Sequence, residues 1–206
     1  MKTRPSYHHG NLKQALVKAS LGLIRERGPR AFTLREVARR AGVSHNAPYR
    51  HFRDKEELLA LVAAEGFVRL TESMVKTAKS GSGALDELRL SGRGYVQFAL
   101  RYPQHFAVMF DAPRRFDLHP ETRAAGECAF GTLVRYIEGC QAEGSLPKED
   151  AKSLALLAWS MVHGVAKLAI SGQLPWREAA QVLHFTDKAT GVLALGFTKG
   201  GYSRPS

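Results

Sequence analysis

Side chains that can read the edges of nucleic-acid bases follow one another between Ser44 and Arg50. A guanidinium such as that of Arg50 can pair with guanine, and a carboxamide such as that of Asn46 can pair with adenine. His45 adds a ring that donates or accepts a hydrogen bond. We therefore predict DNA base contacts from Ser44, His45, Asn46, Ala47 and Arg50.

Two short helices joined by a tight turn are predicted to present these side chains. Thr33 precedes apolar residues at three- and four-residue spacing, and Glu36 follows it in the pattern of a capping box. Thr33 is therefore the expected N-cap of the first of the two helices. Gly42 ends that helix, since glycine adopts the left-handed conformation of such a turn at little cost.

The second of these helices is expected to run from Ser44, its cap, to Phe52, which faces the core together with part of Tyr49. Pro48 lacks the N–H that the interior of an α-helix requires, so we expect a shifted or 3₁₀-like start. His51 is expected to face outward with the base-reading side chains. A helix that buries so little is suited to contacting another molecule, although an ordinary surface hairpin of helices would show the same pattern.

The positive charge is concentrated at the start of the chain. Residues 1–53 contain 12 Lys and Arg against two acidic residues, and the formal net charge of the whole chain is +11. Solubility gives no reason for this segregation, whereas neutralisation of phosphates does. The first helix, predicted from Asn11 to Arg27 with Asn11 or Gly10 as its cap, has an apolar stripe too narrow for a membrane anchor.

Residues 10 to about 70 resemble the DNA-binding domain of the TetR family of bacterial regulators. The matching elements are Arg27-Gly28, Phe32-Thr33, Val37-Ala38, Ala41-Gly42-Val43-Ser44, and Tyr49 with Phe52 followed by Lys55-Glu56-Glu57-Leu58. The resemblance implies phosphate contacts from Thr33, Tyr49 and Lys55, to which we add Arg35. The segment His45-Asn46-Ala47-Pro48 departs from the commonest family sequence, so the base preference does not follow from the resemblance.

The rest of the chain is predicted to be helical, which gives an all-α protein of about nine helices. We expect a basic arm at residues 1–9, a DNA-binding domain at 10–70 with its motif at 33–52, and a helical effector-binding and dimerisation domain at 71–206. Beyond the motif, helices are predicted over residues 55–79, 84–102, 103–110, 120–143, 148–171 and 175–197, with an irregular segment at 111–119.

The helix over residues 148–171 is apolar nearly all round, which a monomer of this size buries with difficulty, so one side is expected to meet a second copy of the chain. In TetR-like proteins the last two helices of each subunit form a four-helix bundle, which implies a homodimer. The predicted interface residues are Met161, Gly164, Val165, Leu168, Val192 and Leu193.

The pattern W-x-x-x-H-G, from Trp159 to Gly164, resembles the hallmark of one C-terminal domain type of the family, the WHG type. Its Trp and His are expected to serve packing before ligand contact. The resemblance also implies a pocket for a partly apolar small-molecule effector, although an aromatic stripe is equally typical of a core. The predicted pocket residues are Phe98, Tyr102, His105, Phe106, Phe110, Phe130, Trp159 and His163.

Cys128 and Cys140 lie on one predicted helix, about 18 Å apart along its axis, so they cannot form an intrachain disulfide. We expect buried or half-buried free thiols, and redox sensing stays open. The chain contains no HExxH or GxSxG motif, and no enzyme activity, metal or cofactor is predicted. The alternative from another class is a thiol or metal site built from His105, His119, Cys128 and His163.

We predict a cytoplasmic, homodimeric transcriptional repressor that associates with the nucleoid when bound to DNA. It is expected to bind a palindromic operator in double-stranded DNA and to be released when an effector shifts the population of its conformations. An effector-independent DNA-binding protein is the alternative. No apolar run reaches the roughly 18 residues of a membrane span and no signal-peptide pattern is seen, so no membrane partner is expected.

Overall fold

A computed structural model describes residues 9–111 and 119–198. The chain divides into two compact units, Met1–Gly66 with Gln104–Arg123, called unit 1, and Phe67–Pro103 with Ala124–Ser206, called unit 2. The predicted boundary near residue 70 is close to the end of the first stretch of unit 1. The prediction missed the second stretch, Gln104–Arg123. The predicted basic arm lies outside the described residues apart from its last residue, His9.

The regular structure of the described residues is entirely helical, as predicted. It comprises eight α-helices and one 3₁₀ helix. The helices are α1 His9–Arg27, α2 Leu34–Arg40, the 3₁₀ helix Ala47–Arg50, α3 Lys55–Ala78, α4 Ala84–Arg101, α5 Pro103–Asp111, α6 Pro120–Ala142, α7 Ala151–Ile170 and α8 Ala179–Thr198. Most of the segment predicted to be irregular, residues 112–118, lies outside the described residues.

Some helix ends differ from the predicted ones for local reasons. The backbone of α1 is already helical at His9, before the expected caps at Gly10 and Asn11. Helix α7 begins only at Ala151, because the Asp150 carboxylate accepts a hydrogen bond from the Ser153 backbone N–H at 2.8 Å and so caps the helix.

Unit 1 has a core formed by the apolar faces of α1, α2 and the first half of α3. Leu16 of α1, Val37 of α2 and Leu58 of α3 have no solvent exposure. Phe32 and Phe52, which flank the helical motif, are also buried. These residues were the apolar positions of the predicted pattern, so burial of the motif's inner face is confirmed.

Helix α5 and the start of α6 join unit 1 through contacts that the sequence pattern did not reveal. Thr122 donates a hydrogen bond to the Ala60 carbonyl at 2.9 Å. Gly66 leaves space for Met109, since a Cβ at this glycine would lie 2.5 Å from the methionine sulfur. The domain boundary therefore depends on tertiary contacts between segments that are distant in sequence.

In unit 2, α4 packs against both α7 and α8. Two glycines of α4 allow close approach. A Cβ at Gly92 would lie 3.0 Å from Thr190 and 3.1 Å from Val162, and a Cβ at Gly94 would lie 2.6 Å from the Ser73 carbonyl oxygen. The Ser73 hydroxyl also donates to the Gly94 carbonyl at 2.8 Å. The α3–α4 contact therefore has no room for a side chain at position 94.

A buried tyrosine connects α4 to α7. The Trp159 indole N–H donates to the Tyr95 hydroxyl oxygen at 3.1 Å, and the same oxygen lies 2.8 Å from Nδ1 of His163. Burial raises the pKa of Tyr95, so its hydroxyl stays protonated and can donate to the His163 ring. The Trp and His of the W-x-x-x-H-G pattern thus both contact Tyr95 within unit 2.

Replacing Gly94 by Ala is expected to destabilise unit 2 by about 1–3 kcal/mol, because the new methyl group meets backbone atoms of α3 that cannot move aside. Gly131→Ala is the matched control in helix α6, where the nearest atom is the flexible end of Arg135 at 3.8 Å. The control should gain about 0.5–1 kcal/mol from helix propensity. Thermal unfolding followed by circular dichroism measures both. Equal or higher stability of Gly94→Ala would contradict the close packing of α3 on α4.

Candidate nucleic-acid interface

Helix α2 has a fixed start. The Thr33 hydroxyl accepts a hydrogen bond from the Glu36 backbone N–H at 3.3 Å, and the Glu36 carboxylate accepts one from the Thr33 backbone N–H at 2.8 Å. The predicted capping box is confirmed. The hydrogen bond from Arg27 is the largest cause that holds the pKa of Glu36 below its usual value, and hydrogen bonds from Thr33 follow. The carboxylate is therefore ionised. Any phosphate contact by Thr33 must therefore coexist with its role as cap.

The turn after α2 has the expected left-handed glycine. Gly42 has a φ of +70°, and a Cβ there would meet nothing within 4 Å, so backbone conformation and not space favours glycine. The Val43 N–H donates to the Ala38 carbonyl at 3.0 Å, which closes the end of the helix. Val43 is half-buried, so it only partly enters the core as expected.

The second helix of the motif is much shorter than predicted. In place of an α-helix over residues 44–52, the chain forms a 3₁₀ helix at Ala47–Arg50, and its N-cap is Asn46 with no side-chain capping bond. The cap predicted at Ser44 is therefore wrong. Pro48 has no N–H to donate, and its ring is almost completely buried. The 3₁₀-like start expected from Pro48 is confirmed, but it extends over the whole element.

Backbone bonds of short span stabilise this segment. The Ala47 N–H donates to the Ser44 carbonyl at 3.0 Å, and the Tyr49 N–H donates to the Asn46 carbonyl at 3.2 Å. The N–H groups of His51 and Phe52 both donate to the Pro48 carbonyl at 2.9 Å. The segment is thus closed at both ends around a buried proline.

Most of the predicted DNA-contacting side chains lie at the surface of this segment, which we call the readout segment, residues 44–50. Ser44, His45, Asn46, Tyr49 and Arg50 are exposed, and Ala47 is half-buried. Tyr49 was predicted to face the core in part, but its side chain is 51% exposed. His51, by contrast, is half-buried instead of facing outward. Of the predicted phosphate contacts in and around the motif, Thr33 and Arg35 are also exposed.

Lys55 has a structural role that the sequence did not reveal. Its ammonium group donates to the Arg30 carbonyl at 2.9 Å and lies 5.2 Å from the centre of the Phe32 ring. The Arg30 guanidinium in turn donates to the Asp111 carbonyl at 3.0 Å. An ammonium group has three N–H donors, so Lys55 can hold the loop before α2 and still meet a phosphate.

Three of the basic residues of unit 1 form ion pairs with carboxylates, and one of them is Arg53, whose Nε lies 3.4 Å from Glu57. Arg27 lies 2.7 Å from Glu36, and Arg40 lies 2.7 Å from Glu26. The hydrogen bond from Arg40 is the main reason why the pKa of Glu26 is lowered. Gly22 makes room for the Arg40 side chain, since a Cβ there would lie 2.7 Å from its Nε.

Other cations of unit 1 are available to an anionic partner. Six of them are exposed and form no ion pair with another described residue. They are Lys13, Lys18, Arg25, Arg35, Arg39 and Arg50. Arg39 lies in the last turn of α2, next to the turn that leads to the readout segment. The sequence prediction did not name Arg39, because charge alone does not distinguish it from Arg40, which is paired.

The predicted effector pocket as a whole stays a prediction. The Phe98 and Tyr102 side chains border a polar cleft of about 330 Å³ in unit 2, whereas His105, Phe106 and Phe110 belong to unit 1. An apolar cavity of about 30 Å³ in unit 2 is lined by another set, Met74, Leu88, Arg89, Ser91, Gly92, Tyr95, Leu133, Ala158, Met161, Val162, Thr190, Leu193, Ala194 and Phe197. None of the eight predicted pocket residues belongs to this set.

Helices α7 and α8 expose several large apolar side chains, which we call the apolar face. These are Leu156, Leu157, Leu168, Ile170, Val192 and Leu195. Of the predicted interface residues, Leu168 and Val192 are among them, and Met161 and Leu193 are half-buried in the cavity wall. Val165 is only 7% exposed and therefore packs inside unit 2.

Helix α7 is long and apolar enough to span a membrane by length and composition alone, a property it shares with core helices of soluble proteins.

The two thiols differ in their surroundings. Cys140 is buried as expected, and burial raises the pKa of its thiol to about 11, so it stays protonated. Cys128 is exposed, which corrects the expectation that both would be at least half-buried. Within the described part of the chain, no three His, Cys, Asp or Glu side chains lie close enough together to hold a metal ion.

Two family models match the chain. Residues 16–62 match bacterial regulatory proteins of the tetR family, and residues 88–189 match the family described as Tetracyclin repressor-like, C-terminal domain. The second description does not name the WHG type, so that finer assignment stays a prediction. The two matches together cover the motif, its supporting helices and most of unit 2.

Individual relatives agree with these matches. An HTH-type transcriptional repressor of Mycobacterium tuberculosis is 32% identical over 113 residues, which are 50% of this chain and 60% of the relative. The solved structure of a protein with unknown function from Rhodococcus sp. RHA1 is 32% identical, with a TM-score of 0.79 over 95% of this chain and 100% of that chain. FadR from Bacillus subtilis in complex with stearoyl-CoA shares the fold, with a TM-score of 0.74 at 16% identity over 89% of this chain and 98% of that chain.

Lys55→Met tests the basic surface, because methionine keeps an apolar stem against Phe32 but removes the charge. We expect weaker binding to DNA of every sequence and a salt dependence shallower by about one phosphate contact. Unit 1 should also unfold at a lower temperature, since the Arg30 carbonyl loses its donor. Fluorescence anisotropy titrations at several salt concentrations measure the binding. Lys79→Met, at an exposed lysine of unit 2, is the control, and equal effects of the two substitutions would show that Lys55 does not meet phosphate.

Proposed function

The chain belongs to the tetR family of bacterial regulatory proteins, and from this membership we propose that it is a transcriptional repressor that binds a palindromic operator as a homodimer. The observation that carries the proposal is the readout segment, which exposes His45, Asn46 and Arg50 on a backbone held by the burial of Pro48. Arginine and asparagine are side chains that recognise guanine and adenine in the major groove. Sequence-directed DNA binding explains why these groups are kept at the surface.

Cations around the readout segment support the same proposal. Arg35 and Arg39 of α2 and Lys55 of α3 lie on the elements that flank it, and Tyr49 and Thr33 add hydroxyl groups. Phosphate contacts orient a protein on DNA but carry no sequence information. We infer that these residues set the register of the protein on the duplex, while residues 44–50 provide base specificity.

The apolar face supports a homodimer. Along α7, Leu157, Met161, Gly164 and Leu168 recur at three- and four-residue spacing, so they share one side of the helix. Exposed side chains of α8 such as Val192 add to the apolar area. Exposed apolar side chains of this kind are typical of an interface between subunits. A two-fold dimer matches an operator whose half-sites lie about 34 Å apart.

We further propose that a small-molecule effector releases the protein from DNA. The C-terminal match and the apolar cavity in unit 2 support this step, as does the structural likeness to FadR, which was solved with stearoyl-CoA. A ligand that binds one conformation of unit 2 better than another shifts the population toward that conformation. We propose a cytoplasmic protein, nucleoid-associated when bound to DNA, that has no catalytic activity of its own.

Selection of binding sites from random duplexes tests the readout. His45→Ala and Asn46→Ala are each expected to relax the preference at one position per half-site, with about 1–3 kcal/mol lost at that position if the contact is bidentate. Gln14→Ala, which removes an exposed side chain from α1 of the same unit, should leave the selected motif unchanged. An identical motif from the wild type and both readout variants would refute the assignment.

A charge placed on the apolar face tests the dimer. Val192 is 70% exposed, so Val192→Glu should fold, but in a dimer it would bury an unpaired carboxylate and favour monomers. The monomer should bind the palindrome weakly, because the two half-sites no longer act at high effective concentration. Val68→Glu is the matched control on α3, where the valine is 51% exposed. Sedimentation velocity distinguishes the outcomes, and a dimeric Val192→Glu with full operator affinity would place the interface elsewhere.

A further inference from the structure

The polar cleft of unit 2 is formed by the second half of α3 and the last turns of α4, with Tyr102, the C-cap of α4, in its wall. Its free volume of about 330 Å³ is large enough for a small ligand. The cleft and the apolar cavity have no lining residue in common among the described residues. The cleft is therefore a separate candidate site.

The charged side chains of the cleft are mostly cationic. Arg69 and Lys76 come from α3 and Arg101 comes from α4, whereas Glu72 is the only acidic residue among the described residues of the lining. All four side chains are exposed, and none forms an ion pair with another described residue. A ligand in the cleft therefore meets an excess of positive charge.

The hydroxyl groups of the cleft are already used within the protein. The Ser73 hydroxyl donates to the Gly94 carbonyl at 2.8 Å, and the Thr77 hydroxyl donates to the Ser73 carbonyl at 2.8 Å. The three cations are therefore the strongest hydrogen-bond donors that the cleft offers to a ligand.

Two of these cations are held on one aromatic ring. The Arg69 guanidinium lies 5.1 Å and the Arg101 guanidinium 5.4 Å from the centre of the Tyr102 ring, so both make cation–π contacts with it. The Tyr102 ring packs on the buried Phe98, with ring centres 5.7 Å apart. Two like charges from different helices are thus kept close together on a fixed base, and an anion bound to both would offset their repulsion.

The third cation sets the length of the site. Lys76 follows Arg69 by seven residues, so the two side chains share one side of α3 and are about 10 Å apart along its axis. The cleft therefore has a pair of guanidinium groups toward one end and an ammonium group toward the other. A guanidinium binds phosphate through two parallel N–H donors, and a lysine binds it as a point charge. An elongated anion with two phosphate groups matches this arrangement better than a single phosphate does.

We propose that the polar cleft binds a small molecule that carries a diphosphate group. One phosphate group pairs with Arg69 and Arg101, and the other pairs with Lys76. Glu72 lies between Arg69 and Lys76 on the same side of α3, so its carboxylate repels the ligand and limits the affinity. The site goes beyond the proposed function, because it lies in unit 2 and requires neither DNA nor the readout segment.

Calorimetric titration with inorganic pyrophosphate at constant ionic strength tests the inference in the absence of DNA. Pyrophosphate is expected to bind the wild-type protein, whereas orthophosphate, which reaches only one end of the cleft, should bind at least about tenfold more weakly. Arg101→Gln should lose a similar factor in pyrophosphate affinity, and Arg177→Gln, at an exposed arginine outside the cleft, should lose none. Absence of pyrophosphate binding, or equal affinities for the two anions, would overturn the proposal and would show that Arg69 and Arg101 only cover the Tyr102 ring.

A second pair of variants distinguishes the cleft from the general attraction of a basic protein for anions, and it keeps the test decisive if Arg101→Gln does not fold. Glu72→Gln removes the carboxylate from the cleft, so it should strengthen pyrophosphate binding by about threefold or more. Glu138→Gln makes the same change in net charge at an exposed residue of α6 and should have little effect. Equal effects of these two substitutions would assign pyrophosphate binding to the basic surface as a whole and would overturn the proposal.

Discussion

The burial of Pro48 is the constraint on which the candidate DNA-binding surface depends. A 3₁₀ helix of four residues has too few internal hydrogen bonds to hold its side chains in place. Its position is fixed instead by the buried proline ring, by Phe52, and by the turn at Gly42, where a positive φ redirects the chain. Because the inner side of the segment is fixed by these three residues, its outer side can carry His45, Asn46 and Arg50 without contributing to the core.

Electrostatics in unit 1 divides the basic residues into two groups with different roles. Arg27 and Arg40 pair with carboxylates and stabilise the packing of α1 on α2. Exposed pairs of this kind contribute little to stability individually, but they remove those charges from the surface that a polyanion would meet. Lys55 belongs to both groups, since it donates to the Arg30 carbonyl and has further N–H groups free to donate.

Unit 2 combines close helix packing with an exposed apolar surface. Gly92 and Gly94 bring α4 close to its neighbours, and Tyr95 joins α4 to α7 through Trp159 and His163. The outer sides of α7 and α8 remain apolar and exposed. Since the cavity lies directly beneath the same two helices, the wall that would contact a ligand and the face that would contact a second subunit are opposite sides of the same elements.

The sequence by itself determined the local structure of this protein. The Thr33 and Glu36 capping box, the left-handed Gly42, the all-helical body and the break after α3 each depend on residues within a few positions of one another. Exposure of the readout segment also followed from the sequence, because few of its residues are apolar. Local propensity and hydrophobic periodicity are sufficient for such features.

Tertiary structure alone decided the features that depend on distant neighbours. Because Pro48 is buried, the 3₁₀ form extends over residues 47–50 and is not limited to the expected first turn. The Lys55 ammonium group is restrained by its hydrogen bond to the carbonyl of Arg30, 25 residues earlier. Periodicity marks the apolar side of a helix but not what covers it, so it could not distinguish the buried Val165 from the exposed Leu168. For the same reason periodicity did not locate the apolar cavity of unit 2, because its wall is formed by Gly92 and by side chains of several helices that are distant in sequence.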